Sequence, residues 1–157
     1  MTPDGWALIE DVCELLRMDR TALAAAVEQN DKSRLQVDGD RIRACQGHSA
    51  AGMPVTREAL ENSWRRVIPA DLLWHGTNTS ALEAITREGL RPGRRTHVHL
   101  APARNSHVGR RSAVDVLLGI DPTKLGQPVF EAPNGVLLVR SVPSEAISLI
   151  QKADAVH

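Results

Sequence analysis

Cysteine is nearly missing from this chain: Cys13 and Cys45 are its only two in 157 residues, and no CxxC spacing occurs. That excludes a disulfide framework and a cysteine-built zinc site, and it fits a reducing cytoplasm. Long apolar runs are missing too. No stretch approaches the roughly 18 residues of a membrane span. Met1 is followed by Thr2-Pro3-Asp4 and not by a basic, then apolar, leader, so no membrane partner or export is expected. Nor does either charge dominate, since 19 Lys and Arg balance 19 Asp and Glu. Bulk electrostatics therefore does not make the molecule a polyanion binder, and any nucleic-acid contact has to come from a local patch. No internal repeat and no low-complexity segment is present.

With 24% charged and 42% hydrophobic residues the chain has the composition of a folded globular protein. Its length suits one compact unit or two small lobes packed together. Residues 5 to 30 read as two helices: Trp6, Leu8, Ile9, Val12, Leu15 and Leu16 form one apolar stripe, and Asp19 can cap a second helix carrying Leu23, Ala26 and Val27. A β-hairpin follows, with alternating residues on both sides of Asp38-Gly39. Its pattern places Leu35, Val37, Ile42 and Ala44 toward the helices and Arg34, Gln36, Arg41 and Arg43 on an exposed face. A half-buried hairpin needs a polar outer face in any case, so basicity there does not by itself indicate a ligand.

Gly47, Gly52, Pro54 and Pro69 mark a linker, within which Arg57 to Val67 reads as a short helix. Beyond Asp71 the pattern turns to short strands at Leu72 to His75, His97 to Leu100, Val114 to Leu118 and Val136 to Val139. Between the first two, Asn78 or Thr79 can cap a helix that Gly89 ends. Asn134-Gly135 reads as a turn, and Ser144 as the cap of a final helix through Ala146, Ile147 and Ile150.

No Asp or Glu occurs between Glu88 and Asp115, whereas Arg91, Arg94, Arg95, Arg104, Arg110 and Arg111 all do, together with His97, His99 and His107. Guanidiniums without local carboxylates repel one another unless an anion or a distant acid compensates, and their planar fork of donors matches phosphate oxygens. A solvated basic loop with partners elsewhere in the fold is the alternative. His97 and His99 share a strand face, which favours a common site. Zinc held by this pair with His75 or His107 is a second reading, opposed by the arginines and by the lack of a nearby acid. His75-Gly76-Thr77 follows an apolar strand and precedes a helix; it serves equally as a ligand-binding turn or as ordinary helix capping.

Several segments occur in a telling order: Asn30-Asp31-Lys32-Ser33-Arg34, Ile42-Arg43-Ala44-Cys45-Gln46-Gly47-His48-Ser49, Leu73-Trp74-His75-Gly76-Thr77, Arg95-Thr96-His97-Val98-His99-Leu100, Val108-Gly109-Arg110-Arg111 and Asn134-Gly135-Val136. Together they resemble the RNA 2'-phosphotransferase family nearly end to end. The resemblance implies an α+β fold, with a winged-helix lobe over residues 1–68 packed on an ADP-ribosyltransferase-like β-sheet lobe over residues 69–157. It implies NAD as co-substrate, no metal, a monomer, and RNA bearing a 2'-phosphate, or another phosphate or nucleophilic acceptor, as partner. In the implied reaction the RNA 2'-phosphate attacks the anomeric carbon of the nicotinamide ribose and expels nicotinamide. A ribose hydroxyl then attacks the phosphate, leaving a 2'-hydroxyl on the RNA and a cyclic phosphate of ADP-ribose. By the same resemblance His75, Gly76, Thr77, Arg95, His97 and His99 belong to the NAD pocket. Arg43 and Arg111 are the catalytic pair, and Lys32, Arg34, His48 and Arg110 join them around the substrate phosphate.

Two departures qualify that expectation. Family members carry a Leu-Arg-His motif on a helix ahead of the Gly-Trp segment, whereas this chain begins at Met1, four residues before Gly5. Ala101 also stands where the family usually has Ser. The first departure predicts unusual exposure of Trp6, Leu8 or Val12. It also makes NAD hydrolysis, or ADP-ribosylation of another acceptor with weak or no RNA 2'-phosphate removal, the alternative activity.

Overall fold

The computed structural model describes residues 1–29, 34–49, 51–104 and 114–153. Its first part contains β1 (Ala7–Leu8), α1 (Ile9–Leu16), α2 (Arg20–Glu28), β2 (Leu35–Asp38) and β3 (Arg41–Ala44). The Asp19 carboxylate caps α2 by accepting from the Ala22 amide at 2.7 Å, as its position in the sequence predicts. Strands β2 and β3 pair as an antiparallel hairpin in the register Val37↔Ile42 and Gln36↔Arg43, and β1 lies along the other edge of β3.

Ile9, Leu23 and Ile42 form a small core here, with Val12, Cys13, Met18 and Val27 partly buried against it. The apolar stripe of α1 is only half used: Leu15 remains 82% and Leu16 55% exposed. The partners that α2 and β3 contribute reach the Ile9 to Cys13 side of the helix and leave its last turn bare. Leu8 is exposed as expected, but Trp6 is buried, because the Arg41 and Arg43 guanidiniums both stack on its ring at 4.7 Å.

The Arg57 to Val67 stretch is not one helix. Thr56 caps α3 (Arg57–Ser63) by accepting from the Ala59 amide; Trp64 then turns extended, and β4 (Arg65–Val67) begins. Pairing with β8 (Val129–Glu131) in the register Arg65↔Glu131 competes with the helix and prevails. Trp64 and Leu60 then pack with Cys45, Val55, Ala132, Val136 and Leu138 in a second core that joins early and late parts of the chain.

The remaining elements are β5 (Leu73–Thr77), α4 (Leu82–Glu88), β6 (Val98–Leu100), β7 (Val116–Ile120), β9 (Leu137–Val139) and β10 (Ile147–Lys152). They build two antiparallel sheets, ordered β10-β7-β5 and β4-β8-β9-β6. Trp74 and Ala101 exchange backbone hydrogen bonds of 3.0 and 2.7 Å, which ties β5 to the residue after β6. All five residues of β7 are buried, as a strand covered on both faces requires. The expected final helix is absent: Ser144–Ala146 makes a single 3-10 turn, and Ile147 to Lys152 pairs with β7, covering an edge that would otherwise be open. The molecule is thus a mixed α and β protein of α+β type, and among the described residues no helix is long and apolar enough to cross a membrane.

Candidate functional site

Strand β3 runs into the loop Cys45 to Ser49, and this loop docks on the segment Arg95 to His99. Ser49 bridges to Arg95, the Thr96 amide donates to the His48 carbonyl at 3.0 Å, and Arg95 Nη1 donates to the Gly47 carbonyl at 3.1 Å. Gly47 adopts φ +90°, and a Cβ there would stand 2.7 Å from Arg95 Nη1 and 3.7 Å from His99 Cε1. Only glycine permits both that conformation and that approach. Asn134 Nδ2 donates to Gln46 Oε1 at 2.9 Å, so the Asn-Gly turn joins the same loop. His75 Nδ1 donates to the His99 carbonyl at 2.9 Å; a carbonyl only accepts, so the proton is on Nδ1. Segments that are far apart in sequence therefore meet along one seam.

Arg43 borders that seam from below and is only 5% exposed. Its Nε donates to Gln36 Oε1 at 2.8 Å, and Nη1 donates to the Asp4 carbonyl at 3.0 Å and to Ser63 Oγ at 2.8 Å. Gln36 and Arg43 share a hairpin face as predicted, yet Trp6, Asp4 and Ser63 cover Arg43, whereas Leu35 and Val37, expected toward the helices, are 37% and 47% exposed. All three acceptors are neutral, and among the described residues no carboxylate forms an ion pair with Arg43. Burial lowers its pKa, with the more distant Asp4 charge opposing. Arg41 instead pairs with Asp38 at 3.3 Å, and Arg34 is exposed.

His48 packs so tightly on Gly5 that a Cβ at Gly5 would stand 2.7 Å from its Nε2. Both ring nitrogens are buried, without a hydrogen-bond partner among the described residues. Burial lowers the pKa of this imidazole, and Arg43 and His97 add to the effect, so His48 is neutral.

His97 does not join His99 on an open face. Strand β6 begins one residue later, and His97 is 2% exposed, with Nε2 2.9 Å from Glu61 Oε2, Nδ1 2.8 Å from Thr96 Oγ1 and its ring edge-on to Trp64 at 5.0 Å. Arg140 reaches the same carboxylate, with Nη2 2.6 Å from Glu61 Oε1. Burial alone would raise the Glu61 pKa, but hydrogen bonds from Arg140 and His97 outweigh it and hold the carboxyl below its usual value. For His97 burial wins, and its pKa is lowered despite Glu61. Neither Glu61 nor Arg140 is marked by any spacing in the sequence, because Glu61 lies 36 positions from His97 and 79 positions from Arg140. Among the described residues no three His, Cys, Asp or Glu side chains converge as a metal site would require.

Gly76 and Thr77 lie within β5, paired with Leu117 and Val116, and not in a turn at a helix start. The carboxylate of Asp115 accepts from both the amide and the hydroxyl of Thr79 at 2.9 Å, and it organises the turn that follows. Arg91 and Arg94 are exposed, and Arg104 Nε donates to Gln151 Oε1 at 2.9 Å. Lys32, Arg110 and Arg111, like His107, lie outside the described residues.

Residues 1–141 match a model described as RNA 2'-phosphotransferase, Tpt1 / KptA family. A Burkholderia lata protein named Probable RNA 2'-phosphotransferase is 39% identical over 157 aligned residues, covering 92% of this chain and 77% of its own length. A protein of the same name from Pseudomonas aeruginosa (strain UCBPP-PA14) is 40% identical, covering 89% of this chain and 80% of its own length. For another from Agrobacterium fabrum the identity is 38%, with 96% and 83% covered.

Proposed function

Because the chain belongs to the RNA 2'-phosphotransferase, Tpt1 / KptA family, we propose that it removes a 2'-phosphate from RNA with NAD as co-substrate, at the seam between residues 45–49 and 95–99. The observation that carries this reading is Arg43. A guanidinium that is 5% exposed and held by neutral acceptors is, among the described residues, a buried charge without an ion-paired carboxylate. Such burial is costly unless an anion completes it, and a phosphate oxygen accepts charge-assisted hydrogen bonds from this donor geometry.

The seam's residues also suit a dinucleotide substrate. Gly47 lets the Arg95 guanidinium lie against the loop, 2.7 Å from where a Cβ would stand, and among the described residues His48 keeps two buried nitrogens without a hydrogen-bond partner. NAD supplies a neutral leaving group and an electrophilic ribose carbon. The chain's own part is to orient and to neutralise: Arg43 serves the charge that builds on phosphate oxygens, the role the family resemblance also gives to Arg111, while Arg95, His75 and His99 serve the ribose and pyrophosphate side. His75 is suited to that task, since its hydrogen bond to the His99 carbonyl sets its tautomer before any ligand arrives.

The two helices and hairpin support a winged-helix reading of residues 1–68, and the paired antiparallel sheets support an ADP-ribosyltransferase-like reading of residues 69–157. The test is incubation with NAD and a 2'-phosphorylated oligonucleotide. RNA with a free 2'-hydroxyl, nicotinamide and a cyclic phosphate of ADP-ribose should appear. Recovery of unchanged RNA at high enzyme concentration sinks the reading; nicotinamide release without RNA turnover points to NAD hydrolysis or another acceptor.

A further inference from the structure

We propose that Glu61 is a positioning residue of this seam, which holds His97 in its Nε2–H tautomer and so pins the Arg95 to His99 segment against α3. The inference rests on the reading of the seam as the reaction site, although its structural half can be tested without any substrate.

An ionised carboxylate only accepts hydrogen bonds, and two nitrogens of Arg140 keep Glu61 ionised, at 2.6 Å from Nη2 and 3.1 Å from Nε. The proton between Glu61 and His97 therefore sits on His97 Nε2. In the neutral ring Nδ1 is then an acceptor, and the Thr96 hydroxyl, 2.8 Å away, has to donate to it. That chain of hydrogen bonds gives Thr96 a single orientation from behind. From the front, the Thr96 amide donates to His48, Arg95 donates to Gly47, and the His99 carbonyl accepts from His75. The peptide that carries Arg95 and His99 is thus fixed on both sides, and Glu61 supplies the rear anchor.

The groups that face His97 are Glu61 and Arg57 from α3, Trp64 just beyond it, Arg140 after β9 and His48 from the docking loop. Three of them are or can become cationic, so a second proton on His97 would add positive charge next to Arg57, Arg140 and His48. Arg140, half exposed and lining a cleft of about 430 Å³ with Glu61, already satisfies the carboxylate and removes the need for an imidazolium. The arrangement has the logic of an acid that orients a histidine without taking its proton.

Long-range proton–nitrogen NMR spectra of the full chain, without ligand, report the tautomer directly. Wild type should show His97 as a single Nε2–H tautomer that does not titrate between about pH 6 and about pH 8. Glu61→Gln should lose that uniformity and lower kcat/KM about tenfold with an unchanged circular dichroism spectrum. Glu61→Asp should recover part of both. Arg140→Met, at a half-exposed side chain, should leave the tautomer in place but make His97 take up a proton at higher pH. A Nδ1–H or mixed tautomer in wild type overturns the proposal, as does Glu61→Gln with wild-type tautomer and kcat/KM. Should Glu61→Gln not fold, an unchanged His97 titration in Arg140→Met overturns it. Absence of RNA turnover by wild type would sink the proposed reaction, while the tautomer would still decide for or against the anchor.

Discussion

Fourteen buried residues form the main core around the two C-terminal sheets, whereas α1, α2 and the β2–β3 hairpin share a core whose buried members are Ile9, Leu23 and Ile42. The difference lies in how each region is covered. Strand β7 has neighbours on both edges and side chains packed on both faces, while α1 leaves Leu15 and Leu16 to solvent. The N-terminal region is fastened instead through polar contacts at its border: Arg43 to Ser63, Trp64 Nε1 to the Cys45 carbonyl, and the Gly47–His48 loop to residues 95–96. One region is held from within, the other along a seam that also concentrates charged and polar groups.

The sharpest way to break this comparison is to remove one leucine from each core. Leu118→Ala, at a fully buried position, should cost about 4 kcal/mol in chemical denaturation. Leu23→Ala, in a core that can collapse more readily, should cost about 2 kcal/mol. Equal losses would mean that the small core is as tightly packed as the large one.

Arg43→Met tests the seam itself. It strands Gln36 Oε1, the Asp4 carbonyl and Ser63 Oγ, and should cost about 2 kcal/mol in unfolding free energy. It should also lower phosphate transfer by at least about 100-fold in steady-state assays. Loss of stability with unchanged turnover would make Arg43 a fastener and nothing more.

Acid should loosen the seam before it reaches the main core. Burial holds both His48 and His97 below the ordinary histidine value. The unfolded chain therefore binds more protons than the folded one once pH drops below the unfolded value of about 6.5, so stability is full above that value and declines as pH falls toward the folded ones. Glu61 adds a further decline below its unfolded value of about 4.3, because its folded pKa is also lowered. The urea midpoint should thus fall between about pH 7 and about pH 5; a flat or rising midpoint would show that these imidazoles are charged in the fold. The smallest effect belongs to the exposed Arg65–Glu131 pair, 2.9 Å apart, whose removal by Arg65→Ala should change stability by less than about 1 kcal/mol.

Much of the hairpin and of α2 was legible in the sequence, because Asp38-Gly39 and the Asp19 cap are local chemistry. Strand β10 was not. Ala146, Ile147 and Ile150 fit helical spacing, while Ile147 and Leu149 fit strand alternation, and only the free edge of β7 decides between them. Arg95, His75, His99, Gly47 and His48 were visible as motif residues, and the structure brings them to one seam. The apparent pairing of His97 with His99 misled, since the strand starts at Val98 and His97 turns inward to an acid on α3.

By itself, the sequence determined the local units and the family: caps, turns, the acid-free arginine stretch and the order of motifs all reside in neighbouring residues. Tertiary structure alone decided that Arg43 is buried under Trp6 and Ser63, that Glu61 and Arg140 stand behind His97, and that residues 147–152 form a strand. Each of those outcomes depends on which distant group arrives to pair a backbone edge or to satisfy a buried polar atom, and chain order does not encode that proximity.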